Sequence, residues 1–262
     1  MYLALGVEYN GANYSGFQRQ NHTIGVQNKL EEALSIVANE PIETVCAGRT
    51  DALVHATGQV ISFKTNAIRP KHAWVLGTNA HLPEDIAITW AKEVPEDFHA
   101  RFSALARKYR YIIHNAKPRM GIGTNLITHF HAGHLDEKLM HDAAQILIGE
   151  HDFTSFRGIN CQSRTPMRNV HFINVTRMGD YVMVEIEANA FLLHMVRNIV
   201  GALCDIGIGK KDKAWLQSVF KACDRSLLSP TAPPDGLYLV DVTYPEKFNL
   251  PRRNNLGPIF ML

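Results

Sequence analysis

Leu3, Leu5, Val7 and Tyr9 alternate with Ala4, Gly6 and Glu8, the two-residue period of a strand with one buried face. Asn10-Gly11 closes that strand with a turn signal. Val26, Leu30, Ala33, Leu34 and Val37 then recur at helical spacing and predict an amphipathic helix ending about Asn39. Strand-like segments flank a polar turn between Cys46 and Phe63. A helix with proline near its first turn is expected from about Pro70 to Asn79, and Asp85 to Val94 reads as another strand. From about Ala106 the pattern begins again with a strand over Lys108 to Ile113. Asp136 and Glu137 open a helix that places Leu139, Ala143, Ile146 and Leu147 on one face and stops at Gly149. Strands over Asn169 to Arg177 and Tyr181 to Asn189 surround a Met178-Gly179-Asp180 turn. An apolar helix from about Phe191 to Ile206, a second around Trp215 and Phe220, and a strand from Leu237 to Val242 complete the pattern.

This order predicts an α+β fold of two mixed α/β halves with largely antiparallel sheets, 1–105 and 106–262, meeting near Ser103 to Ala106. The two halves repeat in element order and match poorly residue by residue. The polar tail from Pro245 to Leu262 shows no helical period.

At 262 residues, 46% hydrophobic and 20% charged, the chain can bury a sizeable core. No basic leader precedes the first apolar residues and no apolar run approaches a membrane span, so a soluble cytoplasmic protein is expected. Cys46, Cys161, Cys204 and Cys223 are spread without a C-x-x-C pair, which argues for reduced thiols and against a disulfide framework or a cysteine zinc site. His129, His131 and His134 lack a supporting carboxylate or cysteine pattern, so no metal is expected. No phosphate-cradling glycine loop is present, and no cofactor is expected.

The net charge of +2 says little, but the distribution is uneven. Arg101, Arg107, Lys108, Arg110, Lys117 and Arg119 fall in one run without an acid, and Arg157, Arg164, Arg168 and Arg177 form a second basic stretch. Interleaved with Phe102, Tyr109 and Tyr111, the first run could hold a phosphate backbone and offer rings to bases, or it could be a solvated strand face. Two such stretches on different halves tilt the balance toward nucleic acid. Arg197 lies in an apolar helix, sharing a face with His194 and Gly201 apart from the stripe of Leu192, Val196, Ile199, Val200 and Leu203. Its guanidinium either snorkels to water or pairs with a carboxylate in a cleft between the halves, for which Asp51 is a candidate. The turn at Gly48-Arg49-Thr50-Asp51 is open to two readings: a surface turn with an incidental ion pair, or a catalytic loop fixed by its flanking strands.

Taken together, these segments resemble the bacterial tRNA pseudouridine synthase A family essentially end to end. The likeness is carried by Tyr9-Asn10-Gly11, Ser15 to Gln20, Gly48-Arg49-Thr50-Asp51-Ala52, Val54-His55-Ala56, Arg107 to Tyr111, Asp152 to Arg157, His194 to Gly201 and Gly236 to Leu239. The resemblance implies a pseudouridine-synthase-like fold around a central cleft and a cofactor-free and metal-free isomerase. Its implied reaction converts uridine to pseudouridine at positions 38, 39 and 40 of the tRNA anticodon stem-loop. It also implies a homodimer in which one tRNA touches both subunits. By position it makes Asp51 the catalytic aspartate, Tyr109 the ring that stacks on the target base, Arg197 the partner of the aspartate, and Arg49 a residue that helps move the base. One departure stands out: Leu53 occupies the place of the second glycine in Gly-Arg-Thr-Asp-Ala-Gly-Val-His, where leucine would resist a positive φ. Phe17, where the family commonly has tryptophan, is a milder change. The competing class is a non-catalytic RNA-binding protein or tRNA chaperone.

Overall fold

The structure, a computed structural model, describes residues 1–20 and 22–251. It is an α+β protein whose chain clusters into two compact units, Met1–Arg107 with the chain from Tyr238 onward, and Lys108–Leu237.

The first unit is built on β1 (Tyr2–Tyr9), β3 (His55–Lys64) and β4 (Ile86–Val94), with β1 in the middle and antiparallel to both neighbours. The two-residue β2 (Val45–Cys46) adds to β3, while β10 (Leu237–Thr243) lies parallel to β3 on its other side, Tyr238 opposite His55. The last strand therefore belongs with the first unit, because parallel pairing with β3 returns it there. Helix α1 (Val26–Ala38) buries Val26, Leu30, Ala33 and Leu34, as its spacing predicts, and stops at Asn39 in a left-handed conformation. The helix expected over Pro70 to Asn79 forms, but as a π-helical segment (Ala73–Gly77) flanked by short α-helical ends, with Trp74 buried edge-on against Phe63.

The second unit orders its strands β5–β9–β8–β7: β5 (Ala106–Asn115), β9 (Tyr181–Ala188), β8 (Met167–Met178) and β7 (Gly149–Asp152). The short β6 (Thr128–Phe130) runs parallel to β5. Helix α2 (Glu137–Ala144) is capped by Asp136, whose carboxylate accepts the main-chain N–H groups of Lys138 and Leu139, and it packs on β8 and α3 (Met195–Gly207). Helix α4 (Lys213–Ala222) has an Asp212 cap.

Helix α3 begins four residues later than its apolar pattern predicts. The amides that would form its first turn are used elsewhere: Leu193 N–H donates to Cys161 Sγ, and the Leu193 carbonyl accepts from Gly158 N–H at 2.8 Å. His194, at φ +60°, turns the chain into the helix, and the first bond runs from Asn198 N–H to the His194 carbonyl. Part of the polar tail, from 252 on, lies outside the described residues. Among the described residues no helix is long and apolar enough to cross a membrane.

Candidate active site

The polar turn between β2 and β3 is held from three sides. Upstream, Gln59 donates from Nε2 to the Gly48 carbonyl at 2.7 Å, and Arg107 donates to the Ala47 carbonyl at 2.9 Å. Beneath it, Tyr9 and Thr50 share a buried hydroxyl–hydroxyl hydrogen bond of 2.7 Å. From the side comes the segment after β1. Phe17 N–H donates to the Thr50 carbonyl at 3.1 Å and Leu53 N–H to the Tyr14 carbonyl at 3.2 Å. Two glycines make this approach possible. A Cβ at Gly16, whose φ is +94°, would stand 2.7 Å from the Thr50 carbonyl oxygen, and one at Gly11 would stand 2.0 Å from that of Val54. His55 fixes the far end: its Nδ1 accepts Gly11 N–H at 2.9 Å and its ring stacks on Tyr238 at 4.7 Å.

Within this frame Asp51 is half-buried and Arg49 exposed, two residues apart on one loop. The Asp51 carbonyl accepts Val54 N–H at 3.2 Å, closing a four-residue turn with Leu53 in third place. The sequence pattern singles out Arg49 and Asp51; it does not reveal Tyr9, Gln59 or His55 as their supports. The available signals were the glycines of Asn10-Gly11 and Ser15-Gly16.

Leu53 adopts φ +67°, so the left-handed conformation is kept with a leucine in it. The residue is 42% exposed. The left-handed region costs an L-residue roughly 1–2 kcal/mol, partly offset by the extra entropy glycine carries in the unfolded chain. Leu53→Gly is therefore expected to raise the unfolding free energy by about 0.5–1 kcal/mol, read from the urea midpoint. A lower midpoint would mean that the leucine side chain contributes packing that outweighs its backbone strain.

Tyr109 and Arg197 belong to the second unit. Tyr109, on β5, is buried, and its ring meets Phe191 edge-on at 5.0 Å. Arg197, on the first turn of α3, is half-buried and donates from Nε to the Ala232 carbonyl at 2.8 Å, while Ala232 N–H returns a bond to the Arg197 carbonyl. The face of α3 predicted to stand apart from the apolar stripe is thus packed against 230–232, where a Cβ at Gly201 would stand 2.2 Å from the Pro230 carbonyl oxygen. Asn198 was missed in the sequence pattern. It is fully buried, donating to the Phe156 carbonyl and accepting from Thr231 and Arg225.

The basic runs are less available than their sequence suggests. Arg110 pairs with Glu185 at 2.7 Å and Lys108 with the same carboxylate at 3.3 Å. Burial opposes the Glu185 charge, but the hydrogen bond and charge of Arg110, helped by Lys108, hold its carboxyl below the usual range. Arg107 is spent on main-chain carbonyls, Arg157 on those of Cys161 and Ser163, Arg168 is buried, and Arg177 pairs with Glu137 at 2.9 Å. Arg101, Lys117, Arg119 and Arg164 are exposed.

A sequence profile described as tRNA pseudouridine synthase matches residues 6–103 and 143–245. The tRNA pseudouridine synthase A of Shewanella amazonensis is 60% identical over 100% of this chain and 99% of its own length. That of Shewanella frigidimarina is 58% identical over 100% of both chains. That of Actinobacillus pleuropneumoniae serotype 3 is 58% identical over 100% of this chain and 99% of its own.

Proposed function

This chain belongs to the tRNA pseudouridine synthase family, and from that premise we propose that it isomerises uridine to pseudouridine at positions 38, 39 and 40 of the tRNA anticodon stem-loop, acting in the cytoplasm as a homodimer. The observation that supports the reading is the loop at 48–55, fixed by close backbone contacts around one half-buried carboxylate and one exposed guanidinium.

The reaction breaks the C1′–N1 bond of uridine and forms a C1′–C5 bond. C5 loses its hydrogen as a proton and N1 gains one, so atoms and electrons balance without an external donor. A positioned carboxylate can drive this by attacking C1′ or C6, or by taking the 2′ proton, and Asp51 is that carboxylate. The target base must leave its stack at a cost of a few kcal/mol. Tyr109 stacks on the extracted uracil, and its edge-on contact with Phe191 sets the ring orientation. Arg49 assists extraction by filling the vacated place or holding the phosphate. Arg197 is assigned as the arginine that pairs with the aspartate, its guanidinium oriented by the Ala232 carbonyl. The binding-only alternative rests on the basic strands, with some added weight from Leu53; that leucine keeps the positive φ.

Pseudouridine mapping by carbodiimide modification and primer extension tests the positional assignment. On a tRNA with uridine at 38, 39 and 40, incubation with the protein is expected to create stops attributable to all three. Stops confined to another part of the tRNA would overturn the site, and light scattering that returned the mass of one chain would contradict the dimer.

A further inference from the structure

The basic run contains three rings that could meet bases, and the structure separates them. Tyr111 is fully buried and donates its hydroxyl to the Pro233 carbonyl, and Tyr109 is buried against Phe191. Phe102 is 76% exposed. A single exposed ring is ordinary on a protein surface, but a ring held in place by its neighbours is pre-organised for a partner and loses less entropy on binding.

Phe102 is held in that way. One of its faces stacks on His99, with centroids 4.3 Å apart and planes 28° from parallel, and the Arg101 guanidinium lies 5.7 Å from its centroid. His99 Nδ1 accepts the main-chain N–H groups of both Arg101 and Phe102, which fixes the turn. Two buried residues root the turn. Phe98 sits between Tyr244 and Phe248, while Ala100 donates N–H to Ser62 Oγ and accepts from the Tyr244 hydroxyl at 2.6 Å. The ring is thus presented on a rigid support.

Its position relates it to the catalytic loop. One nitrogen of Arg107, Nη2, donates to the Arg101 carbonyl at 2.6 Å and to the Ala47 carbonyl at 2.9 Å. A single guanidinium therefore ties the Phe102 turn to the residue four before Asp51. Arg49, Arg101 and Arg107 all lie within electrostatic reach of the Cys46 thiol, so the surroundings are cationic. The two acids just upstream are engaged elsewhere, Glu96 by the Tyr2 hydroxyl and Asp97 by Lys247. An exposed ring with a cationic rim suits a nucleobase and its phosphate better than an apolar protein surface.

We propose that Phe102 is a stacking platform for a tRNA base other than the isomerised uridine, with Arg101 contacting an adjacent phosphate. The assignment rests on the tRNA-isomerase reading above and adds to it a second base contact, made outside the catalytic pocket. The platform limits how the stem-loop can be placed when the target uridine is at Asp51.

Direct binding of full-length tRNA to the intact protein tests this. Phe102→Ala is expected to weaken binding about tenfold, within the range for losing one base–aromatic stack, and Phe102→Trp to stay within about twofold of wild type. Arg101→Gln is expected to reduce the salt dependence of binding by about one phosphate contact. With its ring in water, Phe102 contributes little to folding, and unchanged urea midpoints will confirm that the variants are intact. Phe102→Ala binding tRNA within twofold of wild type would overturn the proposal. So would a loss of self-association in that variant without a loss of tRNA affinity, which would assign the ring to a second copy of the chain. A wild-type protein that binds tRNA but makes no pseudouridine defeats the isomerase reading alone, because the platform is judged by affinity. A wild-type protein that does not bind tRNA defeats both.

Discussion

Asp51→Asn abolishes release of tritium from tRNA labelled at uracil C5, by a factor of about 10³ or more, while tRNA affinity stays within a few fold. The substitution keeps side-chain size and removes only the charge and basicity. The loop's backbone is held by main-chain hydrogen bonds that the substitution leaves in place. The main chain of Asp51 accepts Val54 N–H, and Gly48, Thr50 and Leu53 are held through their own backbone groups by Gln59, Phe17 and Tyr14. The folded loop is therefore expected to survive in the variant, and the loss should fall on chemistry. Single-turnover tritium release beside equilibrium binding separates the two effects. Unchanged turnover would remove Asp51 from the mechanism, and a matching collapse in binding would recast it as a positioning residue.

The second large effect is expected at Gly11. A methyl group there would sit 2.0 Å from the Val54 carbonyl oxygen and 2.7 Å from its carbon, both main-chain atoms that cannot rotate away. Retreat of the turn at Gly11 is opposed by the bond from its N–H to His55, and His55 is itself stacked on Tyr238. The strain must then go into the loop. Gly11→Ala is expected to cost about 2–3 kcal/mol of stability, as overpacking commonly does. Turnover should fall by roughly 100-fold, the effect of moving a catalytic group by about 1 Å. Gly121→Ala is the control, since nothing lies within 4 Å of its added Cβ. Urea unfolding and tritium release on the two variants check the contrast. Equal behaviour would show that the loop tolerates displacement.

Long elements with a clear period could be read from the sequence. β1, α1, β4, β8, β9 and β10 form where alternation or helical spacing places them. β6 and β7 did not show, because three or four residues are too few to display a period. The start of α3 was misplaced because apolar spacing cannot report that the Leu193 peptide bonds to the 158–161 loop. The return of β10 to β3 is a pairing between residues far apart in the chain, and nothing local in Tyr238 or Leu239 encodes it.

The candidate site divides in the same way. Arg49, Asp51, Tyr109 and Arg197 were legible from residue type, motif and family resemblance. The groups that shape the loop were not, because Gln59, His55 and Tyr9 look like ordinary strand residues until β1 and β3 are paired. Glu185 hides in the same manner. It lies far along the chain from Lys108 and Arg110, so a run that reads as free positive charge is partly neutralised in the fold. Phe102 gained in importance for the opposite reason: its sequence surroundings resembled those of Tyr109 and Tyr111, and only burial told the three rings apart.

The measurement that bears most directly on the central claim is tritium release by the wild-type protein from a uracil-C5-labelled tRNA carrying uridine at 38, 39 and 40. The account predicts release approaching one tritium for each of those uridines, with no added cofactor. A protein that binds this tRNA with ordinary affinity and releases none would contradict it.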